Sequence, residues 1–297
     1  MTMIQTRDGT NLRVKTLGAG RPVVLIHGWP LSADSWDPVM IALAEAGYRA
    51  IAYDRRGFGR SDHADKGYDY DTFTDDLADV MAATGATDDV ALVGFSMGGG
   101  EIARYMSRHG GRGVSQAVLV SSVVPFMART DDNPKGVPDK VFADMTEGMK
   151  TDFRKFFTSF FKQFYGVGLL SHPVSDEELH WAWQTTMQAS QYATIQSAGA
   201  FAYTDFRPDL PHFQVPTLVI HGTADATVPI EATGREVAAQ VPSADLIEYE
   251  GEPHGVFATQ TQRLSDDIVN FLGGGKIEGR QGMIDAMTAD TIAMGVL

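Results

Sequence analysis

The chain contains no cysteine among its 297 residues. Disulfides, thiolate nucleophiles and cysteine-ligated zinc sites are therefore excluded. Basic residues are also scarce, because 24 Lys and Arg face 38 Asp and Glu and leave a formal charge of −14. The sequence has no basic run, so we expect neither a nucleic acid nor an anionic membrane surface as a partner.

Long apolar runs are absent as well. No stretch approaches the roughly 18 residues that a membrane-spanning helix needs. The first residues also lack the apolar segment of a secretory signal. We therefore expect a cytoplasmic protein.

Apolar runs of strand length alternate with helical patterns through the first part of the chain. Consecutive apolar residues in such runs are typical of strands that are buried on both faces of a parallel sheet. The runs are Pro22–Ile26, Arg49–Tyr53, Val90–Val93 and Ala117–Val120. Their alternation with helices predicts a doubly wound α/β sheet, and Asp8-Gly9 predicts a turn in an N-terminal antiparallel hairpin over residues 3–16.

The alternation stops at Pro125 and resumes at Pro216, so residues of about 125–215 are predicted to be a helical cap insertion. Six phenylalanines in this region follow helical spacing and form one apolar stripe. They are Phe153, Phe156, Phe157, Phe160, Phe161 and Phe164. We interpret most of them as packing the insertion onto the sheet, with one or two available as a pocket wall.

The end of the chain has a different character. Gly273-Gly274-Gly275-Lys276 is typical of a linker, and Ile277-Glu278-Gly279-Arg280 resembles a protease recognition sequence of expression vectors. The prediction is a single domain over residues 1–272 and an engineered linker and tail over 273–297. The alternative is a natural short helix with three methionines on one face.

The sequence around Ser96 has the pattern of a nucleophile elbow. Gly94-Phe95-Ser96-Met97-Gly98 is G-x-S-x-G, and it lies between a predicted strand and a predicted helix. A side chain at either outer glycine would collide with backbone that the sharp turn brings close. The pattern predicts a serine hydroxyl presented above the sheet.

A nucleophilic serine needs a base, and the base needs an orienting carboxylate. His254 follows the last predicted strand, and Asp225 follows an earlier one, so both are expected at the carboxyl edge of the sheet. Asp54 also follows a strand, but we interpret it as paired with Arg55 and Arg56. His27 and His221 each end a strand before a glycine, and we interpret them as braces of their loops.

Two backbone amides are candidates for an oxyanion hole. One is the N–H of Met97, directly after the serine. The other is the N–H of Trp29, in the loop after the Val23 strand, since Pro30 has no N–H to offer.

These residues resemble the α/β-hydrolase superfamily and, within it, the cofactor-free haloperoxidase and aryl-esterase group. The resemblance covers residues 1 to about 272. It is carried by five ordered blocks: 27–36 (HGWPLSADSW), 53–61 (YDRRGFGRS), 94–101 (GFSMGGGE), 221–225 (HGTAD) and 253–255 (PHG). The order Ser96, Asp225, His254 is the order of that superfamily.

The resemblance implies an α/β-hydrolase fold and an enzyme that hydrolyses small aryl or alkyl esters through an acyl-enzyme on Ser96, without metal or haem. It also implies perhydrolysis, in which hydrogen peroxide replaces water and the resulting peracid oxidises halide. Trp29, Phe126 and Val228 are the candidate substrate-binding residues. The resemblance leaves a homo-oligomer open.

Two other functions remain open from the sequence. A lactonase or lactamase would use the same three residues and the same acyl-enzyme. A hydrolase-like ligand receptor is less favoured, because every catalytic position is filled. Epoxide hydrolase or dehalogenase chemistry would need a carboxylate where Ser96 stands.

Overall fold

The computed structural model describes residues 2–275, where eight strands form one sheet in the order β1-β2-β4-β3-β5-β6-β7-β8. The strands are Thr2–Gln5 (β1), Asn11–Gly18 (β2), Arg21–Ile26 (β3), Tyr48–Tyr53 (β4), Val90–Phe95 (β5), Val114–Val120 (β6), Thr217–Gly222 (β7) and Ala244–Tyr249 (β8). The strands from β3 to β8 are parallel to one another. Only β2 runs against both of its neighbours, β1 and β4.

The predicted fold class is confirmed by this topology. The central strands β3 and β5 are nearly or fully buried along their apolar runs, as strands covered on both faces should be. The N-terminal hairpin closes through Thr6 and Thr10, with Gly9 at φ +91° in its turn.

Helices account for most of the rest of the described chain. They are Asp37–Glu45 (α1), Tyr70–Ala83 (α2), Met97–Arg108 (α3), Asp139–Thr151 (α4), Phe153–Phe164 (α5), Asp176–Thr186 (α6), Gln191–Tyr203 (α7), Gly234–Gln240 (α8), Val256–Thr259 (α9) and Thr261–Leu272 (α10). Short 3₁₀ turns span Ala33–Trp36, Arg207–His212 and Ile230–Ala232. None of the helices within residues 2–275 combines the length and apolarity that crossing a bilayer requires.

The predicted helical insertion is the segment between β6 and β7. It contains α4 to α7 and adds no strand to the sheet within the described residues. The phenylalanine stripe lies on α5 as predicted, with Phe153, Phe157, Phe161 and Phe164 buried. The proposed tail lies outside the described residues from position 276 onward, so the domain boundary stays a prediction.

Candidate active site

Ser96 stands between β5 and α3 in a backbone conformation that side chains rarely adopt, with φ 54° and ψ −118°. The two glycines that flank it allow this turn. A Cβ at Gly94 would lie 2.6 Å from the backbone of Gly98, and a Cβ at Gly98 would lie 2.4 Å from the Ile26 carbonyl oxygen. The elbow therefore packs helix α3 against the end of β3 at backbone contact.

Ser96, His254 and Asp225 form one hydrogen-bonded chain. His254 Nε2 lies 3.0 Å from Ser96 Oγ, and His254 Nδ1 lies 2.6 Å from Asp225 Oδ2. The three residues follow β5, β8 and β7, whose carboxyl ends meet at one edge of the sheet. Nucleophile, base and orienting acid need this geometry for acyl transfer.

The Asp225 carboxylate is fixed from both sides. Its Oδ1 accepts hydrogen bonds from the backbone N–H groups of Thr227 and Val228, at 2.9 and 2.7 Å. Burial would raise the pKa of this carboxyl, but the charge of His254 and the hydrogen bonds from His221 and His254 outweigh burial and hold the pKa below its usual value. Asp225 is therefore ionised at neutral pH and can stabilise an imidazolium at His254.

The direction of the Trp29 N–H is set by hydrogen bonds to the carbonyl of the same peptide group, which belongs to Gly28. The Gly28 carbonyl accepts hydrogen bonds from the Leu31 N–H at 3.0 Å and from His27 Nδ1 at 2.9 Å. Burial and the charge of Arg55 hold the pKa of His27 well below its usual value, so the ring is neutral. Because the Gly28–Trp29 peptide is planar and trans, the Trp29 N–H points away from these donors.

The other candidate amide belongs to Met97, the first residue of α3. The first N–H groups of a helix have no partner within the helix and carry partial positive charge. Gly28 approaches the elbow closely, since a Cβ there would lie 3.1 Å from the Ser96 Cβ. The loop that carries Trp29 is thus placed beside the serine, as an oxyanion hole requires.

A cavity of about 690 Å³ opens above Ser96 and His254, and the cap supplies most of its wall. Trp29 and Val228 line it, and their role in binding a substrate stays a prediction. Phe126 is not among its lining residues, and its ring instead lies 5.1 Å from the Arg207 guanidinium. Cap residues that the sequence did not single out also line it: Val137, Val141, Phe142, Met145, Ser159, Gln163 and Phe201.

Helix α5 uses two faces of its phenylalanine stripe. Phe156 and Phe160 line the cavity, whereas the fully buried Phe157 lies outside its lining and packs against Trp29, with ring centroids 5.4 Å apart. The indole of Trp29 is held between the rings of Phe160 and Phe201, with centroids 5.3 and 5.4 Å away. The prediction that one or two of these aromatics form a pocket wall is confirmed.

Comparison with known proteins adds the family. Residues 21–261 match the family model described as alpha/beta hydrolase fold. The chain belongs to this family. It is 42% identical over 274 residues to a non-heme chloroperoxidase of Kitasatospora aureofaciens, which covers 92% of this chain and 99% of that protein.

Further relatives narrow the group within the α/β-hydrolase family. A bifunctional esterase/perhydrolase of Acinetobacter calcoaceticus is 37% identical over 276 residues, covering 92% of this chain and 99% of that protein. The crystal structure of a bromoperoxidase from Bacillus anthracis superposes with a TM-score of 0.88 at 39% identity, covering 92% and 99% of the two chains. The chain is therefore an enzyme of the non-heme haloperoxidase and esterase group.

Asp54 has different partners in this α/β hydrolase from those expected from the sequence. Its carboxylate pairs with Arg13 at 3.3 Å and accepts from the backbone N–H groups of Ala33 and Arg60. The neighbouring arginines pair elsewhere, Arg55 with Glu101 and Arg56 with Asp76. The expectation that Asp54 pairs with Arg55 and Arg56 is thus wrong, because those side chains point to other elements.

The Arg55–Glu101 pair connects helix α3 of the hydrolase to the Trp29 loop. Glu101 is fully buried on α3, and the Arg55 guanidinium that binds it also donates to the His27 carbonyl at 2.7 Å. Burial raises the pKa of the Glu101 carboxyl, although Arg55 and the Tyr53 hydroxyl act in the opposite direction. This network holds the nucleophile helix and the loop beside it in one arrangement.

Proposed function

We propose that the protein is a serine hydrolase that cleaves carboxylic esters through an acyl-enzyme on Ser96. The observation that carries the proposal is the hydrogen-bonded chain from Ser96 through His254 to Asp225 at the floor of an apolar cavity. Ser96 Oγ attacks the ester carbonyl carbon while His254 Nε2 takes its proton. Asp225 holds the imidazole and stabilises its positive charge.

The developing negative charge on the carbonyl oxygen is stabilised by two amides in this proposal. They are the N–H groups of Met97 and Trp29. His254 then gives its proton to the leaving alcohol, and the C–O bond breaks to leave the acyl group on Ser96. A water molecule activated by His254 attacks the acyl carbon, releases the carboxylic acid and restores the serine.

We infer small aryl and alkyl esters as the substrate class, because the walls nearest the serine are aromatic and aliphatic. Hydrogen peroxide is the proposed alternative to water in the second step. Its oxygen attacks the acyl carbon, and the products are a peracid and the free serine. The peracid then transfers one oxygen to a halide ion and is reduced to the acid. The names of the relatives support this side activity.

The test is the hydrolysis of p-nitrophenyl acetate by the wild type and by Ser96→Ala, with and without peroxide. Loss of the nucleophile should lower kcat by about 10⁴-fold or more. Ser171→Ala, at an exposed serine of the cap, is the matched control and should leave kcat unchanged. Peracid in the peroxide arm, measured by halide oxidation, would support perhydrolysis.

The covalent intermediate has its own measurement. A serine-directed phosphonate should add its mass to the peptide that contains Ser96 and to no other peptide. Equal rates for wild type and Ser96→Ala, with no adduct, would contradict the proposal and favour a ligand receptor. If the enzyme hydrolyses lactones in place of esters and still needs Ser96, the proposed substrate class would be wrong and the proposed mechanism would stand.

A further inference from the structure

His221 is a second imidazole in contact with the proposed acid. It lies at the end of β7, four residues before Asp225, and is fully buried. Its Nε2 lies 2.9 Å from the carbonyl oxygen of Val228 and 3.2 Å from Asp225 Oδ2. The Nε2–H thus donates to the Val228 carbonyl and also contacts the carboxylate of the acid.

The hydrogen bonds assign the proton of His221. Both acceptors face Nε2, so the hydrogen is on that nitrogen. The other nitrogen, Nδ1, is buried and has no hydrogen-bond partner within residues 2–275. A second proton there would leave a buried donor unsatisfied, which is costly. The ring therefore donates through Nε2.

Each oxygen of Asp225 consequently has two N–H groups in contact with it. Two backbone amides hold Oδ1, and the imidazoles of His221 and His254 share Oδ2. The His221 ring is itself confined, because Gly234 packs so close that a Cβ there would lie 2.9 Å from Nδ1. The acid is held by a rigid group that makes no contact with the serine.

We propose that His221 is a positioning residue for ester hydrolysis: it fixes the Asp225 carboxylate and takes up part of the charge that this carboxylate presents to His254. The inference rests on the proposed function. It assigns a role to the histidine of the 221–225 block (HGTAD), whose backbone also ends a strand. Removal of the donor should leave Asp225 less well oriented and His254 more basic.

The charged groups around His221 and His254 allow the effect of the His221 donor on the pH profile to be distinguished from a change in charge. Glu248 pairs with His221 in register on β8, and Arg235 holds its carboxylate at 2.7 and 2.8 Å. Around His254, apart from Ser96 and Asp225, the rings of Phe95 and Phe164 lie 5.0 and 4.8 Å away. His221→Leu and His221→Gln both remove the ionisable ring, and they differ in the amide donor that Gln supplies. A difference between the pH profiles of these two variants must then arise from that donor.

The experiment compares His221→Leu with His221→Gln in the full chain. Leu removes the donor at similar volume, whereas the Gln amide nitrogen reaches the position of Nε2. We measure kcat and kcat/KM for p-nitrophenyl acetate from about pH 5 to 9, where the acidic limb of kcat/KM reports His254 in the free enzyme. In the Leu variant this limb should move up by about 0.5–1 pH unit, with kcat about tenfold lower and KM little changed. Gln should restore the position of the limb.

Two further variants keep the test decisive. His109→Leu removes a histidine at the C-terminal end of α3, whose Nε2 lies 2.9 Å from Asp75. This variant should leave the acidic limb of kcat/KM in place. Gly234→Ala must displace the His221 ring, so it should also shift the acidic limb to higher pH. It serves as the test if His221→Leu does not fold. A folded Leu or Gly234→Ala variant with the wild-type profile would overturn the inference. Failure of the proposed function would show itself separately, as hydrolysis that does not depend on Ser96.

Discussion

Gly98 is a residue at which the elbow leaves no room for a side chain. A Cβ at this position would lie 2.4 Å from the carbonyl oxygen of Ile26, and backbone at the end of β3 cannot move aside without moving the Trp29 loop. We expect Gly98→Ala to lower the free energy of unfolding by about 1–3 kcal/mol, the usual cost of overpacking. It should also lower kcat for p-nitrophenyl acetate. Urea unfolding and the ester assay measure the two effects.

Gly199 provides the matched control for this substitution. It lies within helix α7, and a Cβ there would meet no atom within 4 Å. Gly199→Ala should stabilise the protein by up to about 1 kcal/mol, because alanine has the higher helix propensity. If both variants behave alike, the elbow glycines are not required by close packing.

Single residues were predictable where local sequence places them. Ser96, Asp225 and His254 each follow a strand with turn residues beside them, and the carboxyl ends of parallel strands meet at one edge. The partners of Asp54 and the contact of His221 with Asp225 could not be predicted in this way. They depend on which side chains of distant elements fill the same space, and sequence order does not contain that information.

For helix α5, too, the sequence predicts local structure but not the contacts with distant elements. Its phenylalanine spacing predicts a helix with an apolar stripe, and the structure confirms both. Spacing alone does not say that Phe156 and Phe160 line a cavity while Phe157 and Phe161 are buried outside it. The orientation of α5 over Ser96 comes from the packing of the whole cap.

The charge of α5 leads to a prediction about substrate range. Arg154, Lys155 and Lys162 have no carboxylate within ion-pair distance among residues 2–275, although most arginines of this acidic chain are paired. Lys155 also lines the cavity. It lies nine residues before Phe164, which is about 13.5 Å along the helix, and the ring of Phe164 is 4.8 Å from that of His254.

An ester with a carboxylate at its far end should therefore gain from Lys155. We expect Lys155→Gln to raise KM for such an ester by about two- to fivefold, the size of an exposed ion pair. KM for a neutral ester of equal length should not change. Lys162→Gln is the control, because Lys162 faces a separate groove with Phe157 and Trp183. Equal effects of both variants would mean that only the general charge of the cap matters.

For the molecule as a whole, the alternation of apolar runs and helices predicted the order of the elements. The lack of a buried strand pattern over residues of about 125–215 predicts an insertion there. Sequence does not predict the strand order, because that depends on the side to which each crossover places the next strand. Nor does it predict the shape of the cavity, which depends on how four cap helices pack over the sheet. Composition excluded classes of partner and chemistry, but it contained nothing about the substrate.

The contacts of α10 predict where the folded, active domain ends. The carbonyls of Phe271 and Leu272 accept hydrogen bonds from Gln116 and Arg21, at 3.0 and 3.2 Å, and both apolar side chains are buried. A chain that ends at Gly275 keeps these contacts and should match the full chain in urea unfolding and in ester hydrolysis. A chain that ends at Asn270 loses them and should be less stable by about 3–6 kcal/mol, the burial energy of two large apolar side chains. A loss of activity on ending the chain at Gly275 would instead mean that residues beyond 275 belong to the enzyme.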